Sequence, residues 1–209
     1  MHVLAMFAHP RRDSFSGAIL DSLCAGLMAA GHTVEVGDLY GQGFDPRLRP
    51  EDYAQFDSLP MPADVLTEQA RVERADALAL VFPVWWWSLP AMLKGWIDRV
   101  FASGWAYEFT PGRSRGLLRD RPTLLLCVAG SREATYRKYG YDAAIRTQID
   151  IGILGYCGIR DITTEFFYEV DDDEPARPLY LERARRLGIE FLAPDRVARD
   201  VGPKGERIS

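Results

Sequence analysis

The stretch ALALVFPVWWWSLP, residues 77–90, joins a short continuous apolar run to three consecutive tryptophans. Such a run is typical of a buried strand in a parallel sheet. Successive side chains of an extended chain point to opposite faces, so three adjacent tryptophans cannot all enter one core. Pro83 and Pro90 interrupt regular structure on either side. The stretch predicts a strand ending in an aromatic loop, with at least one indole at a surface or pocket; a core edge or dimer contact is the alternative.

The composition is that of an ordinary globular protein. The chain has 209 residues, 47% of them hydrophobic, and a net charge of −5. This length can bury a substantial core within one domain. The negative charge disfavours nucleic acid and anionic membranes as partners. No apolar run approaches the roughly 20 residues that span a bilayer, and the first residues form a strand pattern without a charged leader, so we expect a cytoplasmic protein without membrane insertion.

The cysteines and histidines do not predict a metal site. Cys24, Cys127 and Cys157 lie far apart in apolar surroundings, which is typical of buried thiols in a reducing compartment. The chain has no CxxC motif and no clustered histidines, so no metal is expected.

Short β-rich runs alternate with longer amphipathic runs along the chain. The predicted strands are 3–7, 33–38, 77–82, 123–128 and 161–167. The predicted helices are 15–30, 63–75, 90–103, 142–156 and 178–192. This alternation predicts an α/β fold, a doubly wound parallel sheet with helices on both faces, because parallel strands need crossover connections. Residues 1–194 are predicted as one domain and residues 195–209 as a C-terminal tail.

The strand-end loops exclude several α/β enzymes. The first loop, residues 8–16, lacks the GxGxxG dinucleotide signature, and the chain lacks both the Walker loop and the GxSxG nucleophile elbow. What remains is the flavodoxin-like, five-stranded order 2-1-3-4-5, with a ligand crevice beside the first and third strands.

In this order the loops after strands one, three and four converge. The first, residues 9–16, offers hydroxyls and helix N-terminal amides suited to phosphate. The second, residues 84–89, offers indoles suited to a planar ring. The third, residues 129–141, offers close backbone approach at Gly130. Together the three loops predict a flavin site.

Four motifs then carry a specific resemblance. They are AHP with Ser14-Phe15 in the first loop, FPVWWWSLP at 82–90, LKGWIDRVF at 93–101 with Ala106-Tyr107 beyond it, and GIL at 152–154 leading to YCG at 156–158. Over roughly residues 3–168 the chain resembles the DT-diaphorase-like NAD(P)H:quinone oxidoreductases of the flavodoxin-like fold.

The resemblance implies roles by position. Flavin phosphate or pyrophosphate would be bound by His9, Ser14, Phe15 and Ser16. The isoalloxazine would be cradled by Pro83, Val84, Trp85, Trp86 and Trp87, with backbone contacts from Ala129, Gly130 and Ser131. Structural alternatives remain open: His9 as a hydrogen-bonding residue at the helix entry, the serines as helix caps, and Gly130 as a turn residue.

Tyr136 is the catalytic residue that the resemblance implies, as a hydrogen-bond donor to the reduced ring. In the family a histidine usually follows in the same loop, whereas this loop contains none. Tyr139, Tyr141 or Arg137 would take its place, or solvent would deliver the proton; an exposed aromatic loop is the structural alternative for these three.

Tyr107 and Phe109 match substrate-pocket positions of the family. In the family two subunits build each pocket, so the resemblance implies a homodimer, with residues 44–66 and the tail as subunit-spanning segments. The implied reaction is a two-electron ping-pong hydride transfer from NADH or NADPH through the flavin to a quinone or similar aromatic acceptor. FAD is the predicted cofactor, with FMN as the alternative.

Three other functions compete with this interpretation. Some family members are accessory subunits of potassium-efflux systems. A one-electron carrier is disfavoured, because it would expose its flavin edge in an acidic surface. A flavin-free binding module with an aromatic patch would lack the yellow colour of a flavoprotein.

Overall fold

The computed structural model describes residues 1–57, 59–171 and 176–193. The strands are β1 (His2–Phe7), β2 (Thr33–Asp38), β3 (Ala77–Pro83), β4 (Tyr107–Thr110), β5 (Arg113–Gly116), β6 (Thr123–Val128) and β7 (Ile162–Phe167). The α-helices are α1 (Phe15–Ala29), α2 (Ala63–Arg74), α3 (Ala91–Val100), α4 (Glu133–Tyr139), α5 (Tyr141–Ile145) and α6 (Arg177–Glu190). A 3₁₀ helix spans Pro50–Phe56 and a π-helical segment spans Arg146–Gly155. The predicted tail, 195–209, lies outside the described residues, and the division into domain and tail stays a prediction.

Five parallel strands form the main sheet, in the order β2-β1-β3-β6-β7. Since β6 and β7 are its fourth and fifth strands in chain order, the predicted order 2-1-3-4-5 is confirmed. Every residue of β3 and β6 is buried, which explains why these central strands are continuous apolar runs in the sequence. The carboxyl ends of β1, β3 and β6 therefore meet at one edge of the sheet.

The sheet is covered on both faces, as predicted. Alternate residues of β1 enter two different clusters, Leu4 and Met6 on one face and Val3, Ala5 and Phe7 on the other. The first cluster packs against α2 and α3, and the second packs against α1 and α6. The three cysteines are buried free thiols.

Helix α3 contains the LKGWIDRVF motif and holds the chain between β2 and α2. A Cβ at Gly95 would lie 2.1 Å from the Pro46 carbonyl oxygen, so no side chain fits there. Arg99 Nη1 donates a hydrogen bond of 2.8 Å to the Asp45 carbonyl, and Trp96 Nε1 donates one of 2.8 Å to Glu68 Oε2 on α2. Close packing and hydrogen bonds thus fix this segment. The sequence predicts no strand or helix there and misses the 3₁₀ helix Pro50–Phe56.

The predicted helix over 142–156 is confirmed in position by the helical residues 141–155, but the prediction misses α4, the break before α5 and the π-helical type of residues 146–155. Helical structure begins at Glu133, is interrupted at Gly140, and continues through α5 into the π-helical segment. Gly140 lies at φ 68°, a left-handed conformation that ends α4 and starts α5 in a new direction. The break separates Tyr136 on α4 from Tyr141 on α5.

The hairpin β4–β5 is also absent from the prediction. Its residues are mostly exposed, so hydrophobic periodicity gives no strand signal there. Gly112, at φ 79°, forms the turn. Tyr107 of the hairpin packs against the core cluster of the α3 face, whereas Phe109 is exposed.

Candidate functional site

A cavity of about 530 Å³ lies at the carboxyl edge of the sheet. It is lined by His9, Arg11, Asp13, Ser14, Phe15, Ser16, Pro83, Val84, Trp85, Trp86, Trp87, Val128, Gly130, Ser131, Tyr136, Val170, Asp171 and Arg177. The three loops that the sequence places together therefore meet around one space. Twelve of the thirteen predicted cofactor-binding residues line it.

The first wall of the cavity is the amino terminus of α1. Ser14 is the N-cap, and its hydroxyl accepts a hydrogen bond of 3.2 Å from the Gly17 amide. Helix geometry leaves the amides of Phe15 and Ser16 without an intrahelical acceptor. These amides and the helix dipole make this end of the cavity suited to an anion such as phosphate.

His9 and Arg11 shape the loop before that helix. The Arg11 amide donates to His9 Nδ1 at 3.0 Å, which fixes the imidazole. The Arg11 guanidinium contacts the Asp13 carboxylate at 3.2 Å. This ion pair lowers the pKa of Asp13 and raises the pKa of Arg11, but both side chains are largely exposed. A bound anion would therefore compete with Asp13 for Arg11.

The second wall is a tight turn formed by the tryptophans. The Trp85 and Ser88 backbones exchange hydrogen bonds of 3.2 and 3.1 Å, which closes a two-residue turn. Its central residues, Trp86 and Trp87, have φ values of 50° and 61°. This conformation is uncommon for residues with a Cβ. The turn leaves Trp86 93% exposed at the cavity, as the alternation argument predicts for at least one ring.

Trp87 packs inward from this turn. Its indole stacks on Tyr141, with ring centroids 4.0 Å apart and planes at 13°. It also meets Tyr136 edge-on at 5.3 Å. His9 and Trp85 contact each other across the cavity mouth at 5.8 Å. Trp85 and Trp87 thus pack against neighbouring rings, and together with the exposed Trp86 they form the aromatic wall of the cavity.

Tyr136 on α4 is almost fully buried, at 1% exposure, yet it lines the cavity. Its ring meets Phe166 and Tyr168 edge-on at 5.8 and 5.1 Å. Burial is the main cause that raises the pKa of Tyr136 above its usual range, and the nearby Cys127 and Tyr168 add to this effect. The hydroxyl therefore stays protonated at neutral pH and is available as a hydrogen-bond donor.

The third wall contains Gly130 and Ser131. A Cβ at Gly130 would lie 2.5 Å from Asp171 Oδ2, so a side chain there would crowd the cavity floor. Ala129, the remaining predicted cofactor residue, does not line the cavity. Its side chain is fully buried, and its amide donates to the Phe167 carbonyl at 2.8 Å. That amide is committed to sheet pairing and is not free for a ligand.

Tyr107 and Phe109 lie away from this cavity. Tyr107 lines a separate hollow of about 370 Å³ together with Tyr53, Phe56 and Tyr156. Burial and the neighbouring Tyr156 raise the pKa of Tyr107. Phe109 is 65% exposed on the hairpin. Within one copy of the chain, the predicted substrate residues and the predicted cofactor residues do not meet.

The flavodoxin-like fold family model matches residues 1–187. The chain belongs to that family. Among its relatives, an uncharacterized NAD(P)H oxidoreductase of Haemophilus influenzae is 33% identical over 194 residues, 92% of this chain and 93% of the relative. The ribosyldihydronicotinamide dehydrogenase [quinone] of Rattus norvegicus is 30% identical over 88% of this chain and 90% of its own. These relatives confirm the resemblance to flavodoxin-like NAD(P)H:quinone oxidoreductases.

A solved member of the flavodoxin-like family gives the same result. The NAD(P)H:quinone oxidoreductase of Methanothermobacter marburgensis is 40% identical, with a TM-score of 0.84. The match covers 91% of this chain and 98% of that structure. Both sequence and topology therefore agree on the family across nearly the whole described chain.

Sequence reasoning misses several lining residues of this flavodoxin-like site. They are Arg11, Asp13, Val128, Val170, Asp171 and Arg177. Arg177 begins α6, donates to the Val170 carbonyl at 3.0 Å and lies over the Phe15 ring at 5.5 Å. Strand order could have indicated the residues that follow β7. The carboxyl end of β7 lies next to that of β6, so the loop after β7 borders the crevice.

Within the described ranges of this flavodoxin-like chain, no helix combines the length and apolar character needed to cross a membrane. The same ranges contain no group of three or more His, Cys, Asp or Glu side chains arranged for a metal ion.

Proposed function

We propose that this protein is a flavin-dependent oxidoreductase that passes two electrons from NADH or NADPH to a quinone or similar aromatic acceptor. The observation that best supports this proposal is that one cavity combines groups suited to phosphate with groups suited to a planar ring. The amino terminus of α1 and the side chains of Trp86, Trp87 and Tyr136 line the same space. A ligand that fits both features carries a phosphate and a planar ring. Bound flavin would supply hydride acceptance and donation, in a ping-pong cycle.

At the phosphate end, Ser14, Phe15 and Ser16 would hold the anion through backbone amides and hydroxyls. His9 would contact it from the loop, because the Arg11 amide already fixes the His9 ring. Arg177, at the start of α6, would add a positive charge on the same side.

At the ring end, Pro83 and Val84 would form the floor and Trp85, Trp86 and Trp87 the wall. Gly130 and Ser131 would approach the ring edge through their backbone, since Gly130 has no side chain to block it. Trp86 is 93% exposed, so its side of the wall faces solvent. The nicotinamide and the acceptor would enter from this side in turn, each by stacking.

Tyr136 would act at the ring as a hydrogen-bond donor. Its raised pKa keeps the phenol proton in place, and its burial excludes water. A donor held where negative charge develops lowers the barrier most under these conditions.

We propose FAD as the cofactor, because the long segment between β2 and β3, residues 39–76, resembles the one in the FAD-binding branch of the family. FMN is the alternative outcome of the test below. The same test decides whether NADH or NADPH is the preferred electron donor. The relatives reported above are named as oxidoreductases, which favours an enzyme over the accessory-subunit alternative.

We propose further that the active unit is a homodimer. Tyr107 lines a hollow whose rim carries the exposed apolar side chains of Leu48, Tyr53 and Phe56. Exposed apolar surface of this kind favours association. In a dimer, Tyr107 and Phe109 of one copy would complete the acceptor pocket of the other.

The test is to release the bound cofactor from purified protein and identify it by mass. Anaerobic mixing of the holoprotein with NADH and with NADPH then measures the first half-reaction, and a quinone measures the second. We expect a yellow protein in which the two half-reactions proceed separately. A colourless protein that neither releases nor takes up FAD or FMN would contradict the proposal.

A further inference from the structure

The tryptophan turn needs an external support. Two-residue turns with both central residues at positive φ normally carry Asn and Gly, because a Cβ is disfavoured there. Here the central residues are Trp86 and Trp87, at φ 50° and 61°. The mutual backbone bonds of Trp85 and Ser88 close the turn, but they do not favour tryptophan at its centre.

Contacts of the two side chains differ sharply. Trp86 is 93% exposed, so its indole contributes little packing. Trp87 is partly buried and packs against the core cluster of the α3 face. Its closest ring partner is Tyr141, at 4.0 Å and 13° between planes. The packing that favours this conformation therefore comes from Trp87, with Tyr141 as its main aromatic partner.

The position of Tyr141 follows from the break at Gly140. The left-handed conformation of Gly140 starts α5 in a new direction, with Tyr141 as its first residue. The Tyr141 ring also contacts Tyr139 at 5.6 Å and Tyr136 at 6.1 Å. Each of these contacts is made by the ring of Tyr141.

We propose that Tyr141 is a positioning residue: its ring fixes Trp87, and through Trp87 the aromatic wall next to Tyr136, in the geometry that receives the flavin ring. This inference rests on the proposed function. The role belongs to the ring and not to the hydroxyl. Tyr141 does not line the cavity, but its stacking on Trp87 would position the aromatic wall that the flavin contacts.

Three variants test this assignment. Tyr141→Phe keeps the ring and removes the hydroxyl, and Tyr141→Leu removes the ring. Tyr180→Leu is the matched control, because Tyr180 packs against Phe167 on the opposite face of the sheet. The flavin Kd and the visible circular dichroism of bound flavin are measured for each variant.

We expect Tyr141→Phe and Tyr180→Leu to match the wild type in both measurements. Tyr141→Leu should raise the flavin Kd by roughly three- to tenfold, as expected for loss of one stacked aromatic pair, and should alter the visible circular dichroism. Wild-type behaviour of Tyr141→Leu would overturn the proposal. A defect of Tyr141→Phe as large as that of Tyr141→Leu would assign the role to the hydroxyl and would also overturn it.

A second measurement uses flavin-free protein and separates this inference from the proposed function. In a double-mutant cycle of Tyr141→Leu and Trp87→Leu, the loss of unfolding free energy from Tyr141→Leu should be at least halved when Trp87 is absent. Additive effects would contradict the contact. If the wild type binds no flavin, the proposed function fails while this cycle still reports on Tyr141.

Discussion

Arg99 and Asp52 form a two-armed ion pair inside the protein, with both side chains fully buried. Arg99 Nε donates to Asp52 Oδ2 at 2.9 Å, and Nη2 donates to Oδ1 at 3.0 Å. The remaining nitrogen, Nη1, donates at 2.8 Å to the Asp45 carbonyl and at 2.8 Å to Asp64. The pair thus attaches the 3₁₀ helix Pro50–Phe56 to α3, and it gives the LKGWIDRVF motif a structural role.

Replacing Arg99 should be strongly destabilising. Arg99→Met leaves the Asp52 carboxylate buried without its partner, which typically costs about 3–5 kcal/mol. The control is Lys94→Met on the same helix, where the exposed pair with Asp98 contributes less than about 1 kcal/mol. Urea unfolding at pH 7 measures both. Equal stability of the two variants would show that the buried pair is not the anchor.

The same pair predicts acid sensitivity. Burial alone would raise the pKa of Asp52, but hydrogen bonds from Arg99 and from the Arg49 amide outweigh burial and lower it. A depressed folded-state pKa adds stability that is fully present above the unfolded value of about 4 and is lost as the pH falls through the folded value. The stability difference between the wild type and Asp52→Asn should therefore shrink below pH 4. A difference that stays constant or grows on acidification would contradict this.

Substitutions at Ser14 can distinguish its role as helix cap from its proposed role in phosphate binding. Ser14→Asp keeps an acceptor for the Gly17 amide and suits the helix dipole. Its carboxylate would repel a bound phosphate. We expect an unchanged or higher melting temperature together with a flavin Kd raised at least roughly tenfold. Ser14→Ala, which loses about 1 kcal/mol of capping, is the companion variant. Tight flavin binding by Ser14→Asp would place the phosphate elsewhere.

Tyr136→Phe removes the proposed donor while keeping the ring. Flavin should remain bound, and reduction by NADH or NADPH should slow by roughly 10- to 100-fold, because one donor to the developing charge is lost. Stopped-flow measurements check this, with Tyr168→Phe as the control. Because burial raises the pKa of Tyr136, the wild-type rate should show no loss from this group up to about pH 10. Unchanged reduction rates in Tyr136→Phe would remove its assigned role.

The dimer is tested at Phe56, which is 62% exposed beside the Tyr107 hollow. Phe56→Asp places a charge in the proposed interface, so we expect a monomer in analytical ultracentrifugation and a loss of quinone reduction. Leu179→Asp, at a 72% exposed leucine of α6, should leave the dimer intact. A dimeric Phe56→Asp protein with full activity would exclude this surface as the interface.

Much of the sheet could be predicted because its central strands are short apolar runs and all five strands are separated by clear breaks. The predicted bounds of β2 and β6 equal the observed ones, and those of β1, β3 and β7 differ by one residue. The β4–β5 hairpin could not be predicted, since its exposed residues follow no apolar period. The helix break at Gly140 depends on one glycine in a left-handed conformation, which a glycine in the sequence permits but does not require.

The candidate site shows a similar division. Convergence of the three loops follows from strand order. The strand order is predicted from the alternation of strands and helices together with the absence of the dinucleotide, Walker and nucleophile-elbow signatures. The positive φ values of Trp86 and Trp87 and the stacking on Tyr141 could not be predicted, because they depend on contacts between distant segments. The hydrogen bond from the Ala129 amide to the Phe167 carbonyl could not be predicted either. The predicted strand ends at Val128, which leaves Ala129 in the following loop.

The most direct measurement is a fluorescence titration of flavin-free protein with FAD and with FMN. We expect saturable binding of at least one of them with a Kd below about 1 μM. We also expect quenching of the tryptophan fluorescence as the ring stacks on the aromatic wall. Absence of saturable binding by either flavin, in a protein shown to be folded, would contradict the central claim.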